Sequence, residues 1–399
     1  MKLDLSTGCL ITVEQEELDR RIRGVRRFME ERKLGLCLTA CPMKGGWKTW
    51  LTGTEGPGRP SEGAILVGRT GDVISVNGGS LVPRGAKGER NYAMAPGLEG
   101  DGFLGYGSTE GFSADLIEEM LGDSRKIGLV NGEFLRANVF EYLKETIPDI
   151  EILDISREME AFRAVKSQAE IRILESNARM MDKVFAGAGV FINPLKYERD
   201  IVNDLRYSAY RLGCGGVDHL LSAPCELVSC RDGAPREEEP LNYPGRKVTF
   251  GDRVSIRMYA IGNDGYFAGM SRLYVLGEPA ESTKKLWETA VEAQDYAAEL
   301  LKPGAVLKEI AETVNGFLKE RGMQEDRRTM IHSIGASVQE NPQVFGTEPM
   351  AVQENMVFYV GPTVNDGVTE PVSCGDLYLV TKEGAVRLNH FSRELIRLY

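Results

Sequence analysis

The chain has 399 residues, 42% of them hydrophobic and 27% charged, a balance that predicts an ordinary globular protein of roughly two domains, each long enough to bury a core. With 59 acidic against 48 basic side chains the formal charge is −11, so no overall field draws the chain to phosphate backbones or anionic lipid. That excludes nucleic acid and membrane from the expected partners.

The first residues, Met1 to Gly8, hold no apolar core of signal-peptide length, and no later segment reaches the ~18 apolar residues of a membrane span. A cytoplasmic protein is expected. Its seven cysteines, Cys9, Cys37, Cys41, Cys214, Cys225, Cys230 and Cys374, are scattered, odd in number and without zinc-finger spacing, which predicts reduced thiols rather than a disulfide framework.

A helix over Leu18 to Glu31 opens the chain, followed by short apolar runs at Leu34 to Thr39 and Gly63 to Val67 among Gly-rich turns. Further strands are expected at Lys126 to Val130 and Ile150 to Leu153, with a helix over Leu135 to Ile147 between them. Alternating helices and short strands predict an α/β domain over residues 1–158. The texture changes at Ser167-Gln168-Ala169-Glu170, which has capping-box spacing: the serine oxygen takes a helix-start N–H and the glutamate reaches back. Ile171, Leu174, Ala178, Met181 and Phe185 then mark one apolar face of a long helix. Later helices carry Ile201 and Leu205, then Leu286, Ala290 and Ala293, then Leu307, Ile310, Val314 and Leu318 before Gly322. Strands are expected at Arg253 to Ile261, Ser271 to Leu276, Met356 to Val360, Leu377 to Thr381 and Ala385 to Leu388, as an antiparallel sheet covered by helices on one face. Ser229 to Arg246, with Asp232-Gly233, Pro235 and a charged run, reads as a solvated loop.

No phosphate loop, dinucleotide fingerprint, His-Glu-x-x-His or serine nucleophile elbow is present. Only His219, His332 and His390 can supply imidazole chemistry. One family nevertheless accounts for an ordered series of short motifs. These are Phe162 to Ile171, Gly251 to Ile256, Gly265-Tyr266, Ser271-Arg272, Lys302-Pro303-Gly304, His332-Ser333-Ile334-Gly335, Gln339-Glu340-Asn341-Pro342, Met356-Val357-Phe358 and Val380 to Gly384. Together with Trp50 to Gly53 and Ala64 to Val67 near the start, the series resembles the creatinase, prolidase and aminopeptidase P family over nearly the whole chain. The resemblance implies an α/β N-terminal domain over 1–158, an α+β pita-bread domain over 159–399, and a homodimer.

That family's usual chemistry uses two divalent metals, held by two aspartates, one histidine and two glutamates, to activate a water. At the corresponding positions this chain has Arg257, Gly269, His332, Gly361 and Gly375. A second family histidine corresponds to Gln339, and an upstream one to Leu241 or Asn242. One imidazole beside a guanidinium cannot hold two cations, so no metal and no cofactor are expected. The glycines read either as a decayed site or as cleared volume for a larger ligand.

Arg257 reads as a carboxylate clamp or as a structural ion pair. His332 reads as a proton-transfer group or as a structural histidine. Creatinase itself works without metal through histidine acid–base chemistry. The leading expectation is therefore a metal-independent hydrolase of a C–N bond in a small carboxylate- or amide-bearing substrate. His332 and Glu340 would be catalytic, and Arg257, Gln339 and Cys374 would bind substrate. The alternatives are a pseudopeptidase that binds a peptide or protein partner, and a metal-dependent Xaa-Pro peptidase. Cys225, Cys230 and Cys374 offer a thiolate nucleophile or a Cys/His metal site against the commoner fate of small buried hydrophobes.

Overall fold

The computed structural model describes residues 13–41, 46–53, 63–71, 73–77, 89–92, 114–135, 137–214, 225–235, 245–344 and 350–399. These fall into two compact units, which change over in sequence between Arg163 and Ala164.

In the N-terminal unit, helix α1 (Gln15–Glu31) buries Leu18, Val25, Phe28 and Met29 on one face. Arg21 is buried on that face too, with Nε donating to Glu17 Oε1 at 2.8 Å. Strand β1 (Leu36–Cys41) is buried throughout because it lies inside a six-stranded sheet. The other elements are α2 (Trp47–Thr52), β2 (Gly63–Gly68), β3 (Val73–Asn77), β4 (Glu89–Tyr92), α3 (Ala114–Leu121), β5 (Lys126–Val130), α4 (Ala137–Thr146), β6 (Glu151–Asp154) and α5 (Ser156–Ala164). The sheet order is β4-β3-β2-β1-β5-β6, antiparallel at β1–β2 and β2–β3 and parallel elsewhere. Leu36, Leu38 and Ala40 of β1 share a core with Ile117 and Leu121 of α3 and Val139 and Leu143 of α4.

The C-terminal unit starts with α6 (Gln168–Phe191). Both arms of its capping box form: Glu170 N–H donates to Ser167 Oγ at 3.2 Å, and Ser167 N–H to Glu170 Oε2 at 2.8 Å. All five residues of its expected apolar face are buried. There follow α7 (Glu198–Arg211), β7 (Cys225–Arg231), β8 (Asp252–Ile261), β9 (Phe267–Leu276), α8 (Glu281–Leu300) and α9 (Leu307–Glu320). The remaining strands are β10 (Ile331–Ser333), β11 (Glu340–Gln343), β12 (Val357–Val360), β13 (Thr363–Val364), β14 (Val372–Ser373), β15 (Asp376–Val380), β16 (Ala385–Arg387) and β17 (Ile396–Leu398).

They form two principal sheets where one was expected. The first has the order β17-β9-β8-β7, with β17 parallel to β9 and the rest antiparallel. The second, β11-β10-β12-β15-β16, is antiparallel throughout. A backbone bridge joins them at Ser271 and Gly375, with N–H to C=O distances of 3.0 and 3.3 Å. The small residues Ala290, Ala293 and Ala297 of α8 share a core with Phe358, Val360 and Tyr378 of the second sheet. Ser229 to Arg231, expected in a loop, instead belong to β7, where they pair with Val254, Arg253 and Asp252; the ladder satisfies backbone groups that a loop would leave to water.

Candidate functional site

The long β8–β9 hairpin sets the geometry. Its register places Arg257 opposite Ser271 and Tyr259 opposite Gly269, and strand alternation puts Arg257 and Tyr259 on one face. In the second sheet His332 of β10 pairs with Tyr359 of β12. The two sheets bring these side chains into one cluster. His332 stacks on Tyr359 with ring centroids 5.3 Å apart and planes at 24°, and Tyr259 lies 5.1 Å from Tyr359 by the same measure.

Hydrogen bonding fixes the imidazole. His332 Nδ1 is 3.1 Å from the Ser333 carbonyl, which can only accept, so Nδ1 carries the proton and Nε2 is free to accept. Tyr259 O–H donates to that Nε2 at 3.3 Å. Burial is the largest influence on the ring and pushes its pKa down to about 4; the Ser333 bond opposes this and Arg257 adds to it. His332 is therefore neutral at physiological pH. Burial likewise raises the Tyr259 phenol well above its usual value.

The second tyrosine has its own partner. Tyr359 O–H donates to Ser271 Oγ at 3.1 Å, and that hydroxyl donates to the Ser373 carbonyl at 2.8 Å. Three glycines surround the rings. A Cβ on Gly269 would lie 2.5 Å from Tyr259 Cδ1, one on Gly361 2.7 Å from Tyr359 Cε1, and one on Gly375 2.5 Å from Tyr359 Cζ.

Arg257 stands at the edge of the cluster. Its Nη2 donates to Thr363 Oγ1 at 3.2 Å, and its Nη1 is 3.8 Å from the largely exposed Glu226. Its Nε is buried with no hydrogen-bond partner. Thr363 also borders an open pocket of about 620 Å³, lined in addition by Gln324, Asp326, Arg328, Asn365 and Pro371. Thr363 N–H donates to Asp326 Oδ2 at 2.7 Å, so one threonine links the guanidinium to the pocket's buried carboxyl. Burial raises the pKa of that carboxyl, against the bonds from Thr363 and Arg328 and the charge of Arg257.

Residues 172–390, more than half of the chain, match the family model for Metallopeptidase family M24. The chain belongs to metallopeptidase family M24. A relative, the Xaa-Pro dipeptidase of Pyrococcus horikoshii, is 28% identical over 380 residues, covering 95% of this chain and 99% of that protein. Among solved structures, the Xaa-Pro dipeptidase from Bacillus anthracis aligns with a TM-score of 0.75 at 21% identity, over 96% of this chain and 100% of the other. The prolidase from Pyrococcus horikoshii OT3 aligns with a TM-score of 0.73 at 22% identity, over 94% and 100%. These likenesses establish the pita-bread fold of the M24 domain.

The residues present do not fit the two metals that the M24 family implies. The five positions that the resemblance matches to metal ligands carry one imidazole, one guanidinium and three glycines, and the Tyr259 and Tyr359 rings fill the space in front of those glycines. Among the described residues no group of three or more His, Cys, Asp or Glu side chains is arranged to hold a metal ion. The rings also correct the reading of the glycines as cleared volume, since the tyrosines already occupy it.

Of the expected site residues, Arg257 and His332 come together at this cluster and three do not join it. Glu340 is held in a buried ion pair, 2.7 Å from Lys166 Nζ, while its other oxygen accepts from Ser337 N–H at 3.1 Å. Those bonds occupy a carboxylate that was expected to be catalytic. Gln339 is exposed on the turn before β11. Cys374 is buried in the core packed by α8; its thiol donates to Gln294 Oε1 at 3.3 Å, and burial pushes its pKa up to about 12. Cys225 is pushed to about 12 by the same cause, and Cys230 is raised by it. None of the three is a ready thiolate. His390 is exposed, and His219, Leu241 and Asn242 lie outside the described residues.

The sequence reading missed Tyr259, Tyr359, Ser271 and Lys166. A signal existed for the tyrosines: Tyr259 is two residues from Arg257 and Tyr359 two from Gly361, so strand alternation aims each toward a ligand position. No helix among the described residues is long and apolar enough to cross a membrane.

Proposed function

We propose that this chain is a metal-independent M24 protein that binds a small carboxylate- or amide-bearing molecule, peptide-like in class, at Arg257. The observation that carries the reading is the Arg257 side chain, with a buried Nε that has no partner and an Nη2 bonded to Thr363 at the wall of a 620 Å³ pocket. Arg257 reaches the pocket through Thr363 rather than lining it, and a guanidinium that turns toward a carboxylate there can give it two parallel N–H bonds. The pocket wall bears acidic and basic groups of Asp326 and Arg328, a pattern that suits a zwitterion such as a dipeptide.

Family membership favours hydrolysis of a C–N bond in that ligand, with water as the second reactant. The proton-handling groups at hand are Tyr259 and neutral His332, whose Nε2 can take up a proton released through the phenol. In this reading Arg257 orients the ligand, water adds to the carbonyl carbon as its proton passes through the Tyr259 phenol to His332 Nε2, and the proton returns to the departing nitrogen as the C–N bond breaks.

The test is thermal unfolding of metal-stripped protein with small carboxylates, guanidino acids and Xaa-Pro dipeptides, and separately with Mn²⁺ and Co²⁺. Stabilisation by an organic acid, lost in Arg257→Ala, is the expected result. Release of free amino acid, abolished by His332→Ala with ligand binding retained, separates a hydrolase from a binder without chemistry. A second reading, a metal-dependent Xaa-Pro peptidase, is favoured by the names of the relatives. Saturable stabilisation by Mn²⁺ or Co²⁺ would return it to first place.

A further inference from the structure

We infer that Tyr259 and Tyr359 stand in for the M24 metal centre as the tie between the two sheets of the C-terminal unit, and that this pair is what requires glycine at 269, 361 and 375. The inference rests on the metal-independent reading above and deepens it.

The positions that correspond to metal ligands lie on both sheets: Arg257 and Gly269 on β8 and β9, and His332, Gly361 and Gly375 on or beside β10, β12 and β15. Metals bound there would join one sheet to the other. In this chain the two phenols make that connection. Tyr259 reaches from β8 to His332 on β10, and Tyr359 reaches in the opposite direction, from β12 to Ser271 on β9. The rings are also within stacking range of each other and of His332, so apolar contact adds to the two hydrogen bonds.

Backbone conformation does not explain the glycines. None of Gly269, Gly361 and Gly375 is among the residues with positive φ, so a side chain at each is compatible with the backbone. What forbids it is the tyrosine in front. A methyl on Gly375 would sit 2.5 Å from Tyr359 Cζ, closer still to its hydroxyl, and 2.8 Å from the Ser271 Oγ that this hydroxyl bonds, and one on Gly269 would sit 2.5 Å from the Tyr259 ring and 3.1 Å from Tyr359. Both rings are held by neighbours on the opposite sheet and have no free end to swing aside. Restoring a carboxylate at any of these glycines therefore requires removal of a tyrosine.

The experiment is a double-mutant cycle read by thermal unfolding of the full chain, with Gly375→Ala made in the wild-type, Tyr359→Phe and Tyr359→Ala backgrounds. Gly375→Ala alone is expected to lower Tm by about 3 °C or more. The loss shrinks in Tyr359→Phe, which lacks the nearest atom, and shrinks further in Tyr359→Ala, where of the close contacts only Ser271 Oγ, 2.8 Å from the added methyl, remains. If Tyr359→Ala does not fold, the Phe background still decides. Equal losses in every background, or no loss beside Tyr359, would overturn the inference. Tyr259→Phe and Tyr359→Phe, which keep the rings and lose the cross-sheet bonds, should each lower Tm; an unchanged Tm in both would also overturn it. Additive losses without any Mn²⁺ or Co²⁺ response would refute the tie and leave the metal-independent reading standing, whereas saturable metal stabilisation of the wild type would refute both.

Discussion

Lys166 and Glu340 form an ion pair 2.7 Å long in which both side chains are almost wholly buried, at 1% and 2% exposure. Lys166 lies just before α6, in a stretch that also bridges Met356, the residue before β12, through Val165, and Glu340 opens β11. The pair thus ties the entry of the M24 domain to the edge of its second sheet. Removing one partner of such a pair leaves the other charge buried without its counter-ion, at about 3–5 kcal/mol. Lys166→Met and Glu340→Gln are each expected to destabilise the protein by that order in urea unfolding. The double change Lys166→Met with Glu340→Leu should recover most of the loss. A loss below about 1 kcal/mol for either single variant would contradict a buried pair.

The pH dependence of stability should carry the mark of His332. Its pKa is about 4 in the folded protein, against 6.5 for the ordinary imidazole. As pH falls through 6.5 the unfolded chain binds a proton there, and the folded chain does not until about pH 4. The unfolded state therefore gains, so the stability this residue contributes is whole above pH 6.5 and is lost between 6.5 and 4, by about 3 kcal/mol in all. Unfolding free energies of wild type and His332→Gln at pH 7, 5.5 and 4 give the comparison, with other groups cancelling in the difference. A wild-type profile parallel to that of His332→Gln would mean that the ring titrates normally.

Cys374 illustrates how a neighbouring position can mislead. It immediately precedes Gly375 in sequence, yet its side chain packs toward α8 while Gly375 faces Tyr359. With its thiol pushed up to about 12, only about one molecule in 10⁴ is thiolate at pH 8. Iodoacetamide at pH 8 should leave Cys374 unmodified in the native protein and label it fully in urea, as read by peptide mass spectrometry. Native labelling at the urea rate would restore the thiol to the candidate site.

Much of the fold was legible because it rests on local rules. Ser167 and Glu170 announce the start of α6 through two reciprocal hydrogen bonds, and Lys126 to Val130 form β5 with the bounds the apolar run implies. The division of the M24 domain into two sheets was not legible, since it depends on long-range strand pairing, and the two are joined only by contacts such as the bridge between Ser271 and Gly375, which lie 104 positions apart. The same holds for the site. That Arg257, Gly269, Gly361 and Gly375 lack carboxylates is visible in the letters. That Tyr259 and Tyr359 fill the vacated volume depends on these two side chains meeting from different sheets, and that Glu340 is already engaged depends on Lys166, 174 residues away.

Arg257 allows a binding role and a structural role to be separated by stability alone. As a structural ion pair it would lose stability on truncation. Its nearest carboxylate, Glu226, is 3.8 Å away and largely exposed, a pairing worth at most about 1 kcal/mol. Against that small gain stands a buried Nε without a partner, which costs about 1–3 kcal/mol of desolvation. The Nη2 bond to Thr363 adds about 1 kcal/mol, so the contributions roughly cancel and the fold does not depend on the guanidinium. Arg257→Met, which preserves the stem and removes the unpaired donor, is therefore expected to leave Tm unchanged or raise it by about 2 °C or more while abolishing stabilisation by organic acids. A lowered Tm together with intact ligand response would reverse the assignment and make Arg257 part of the scaffold.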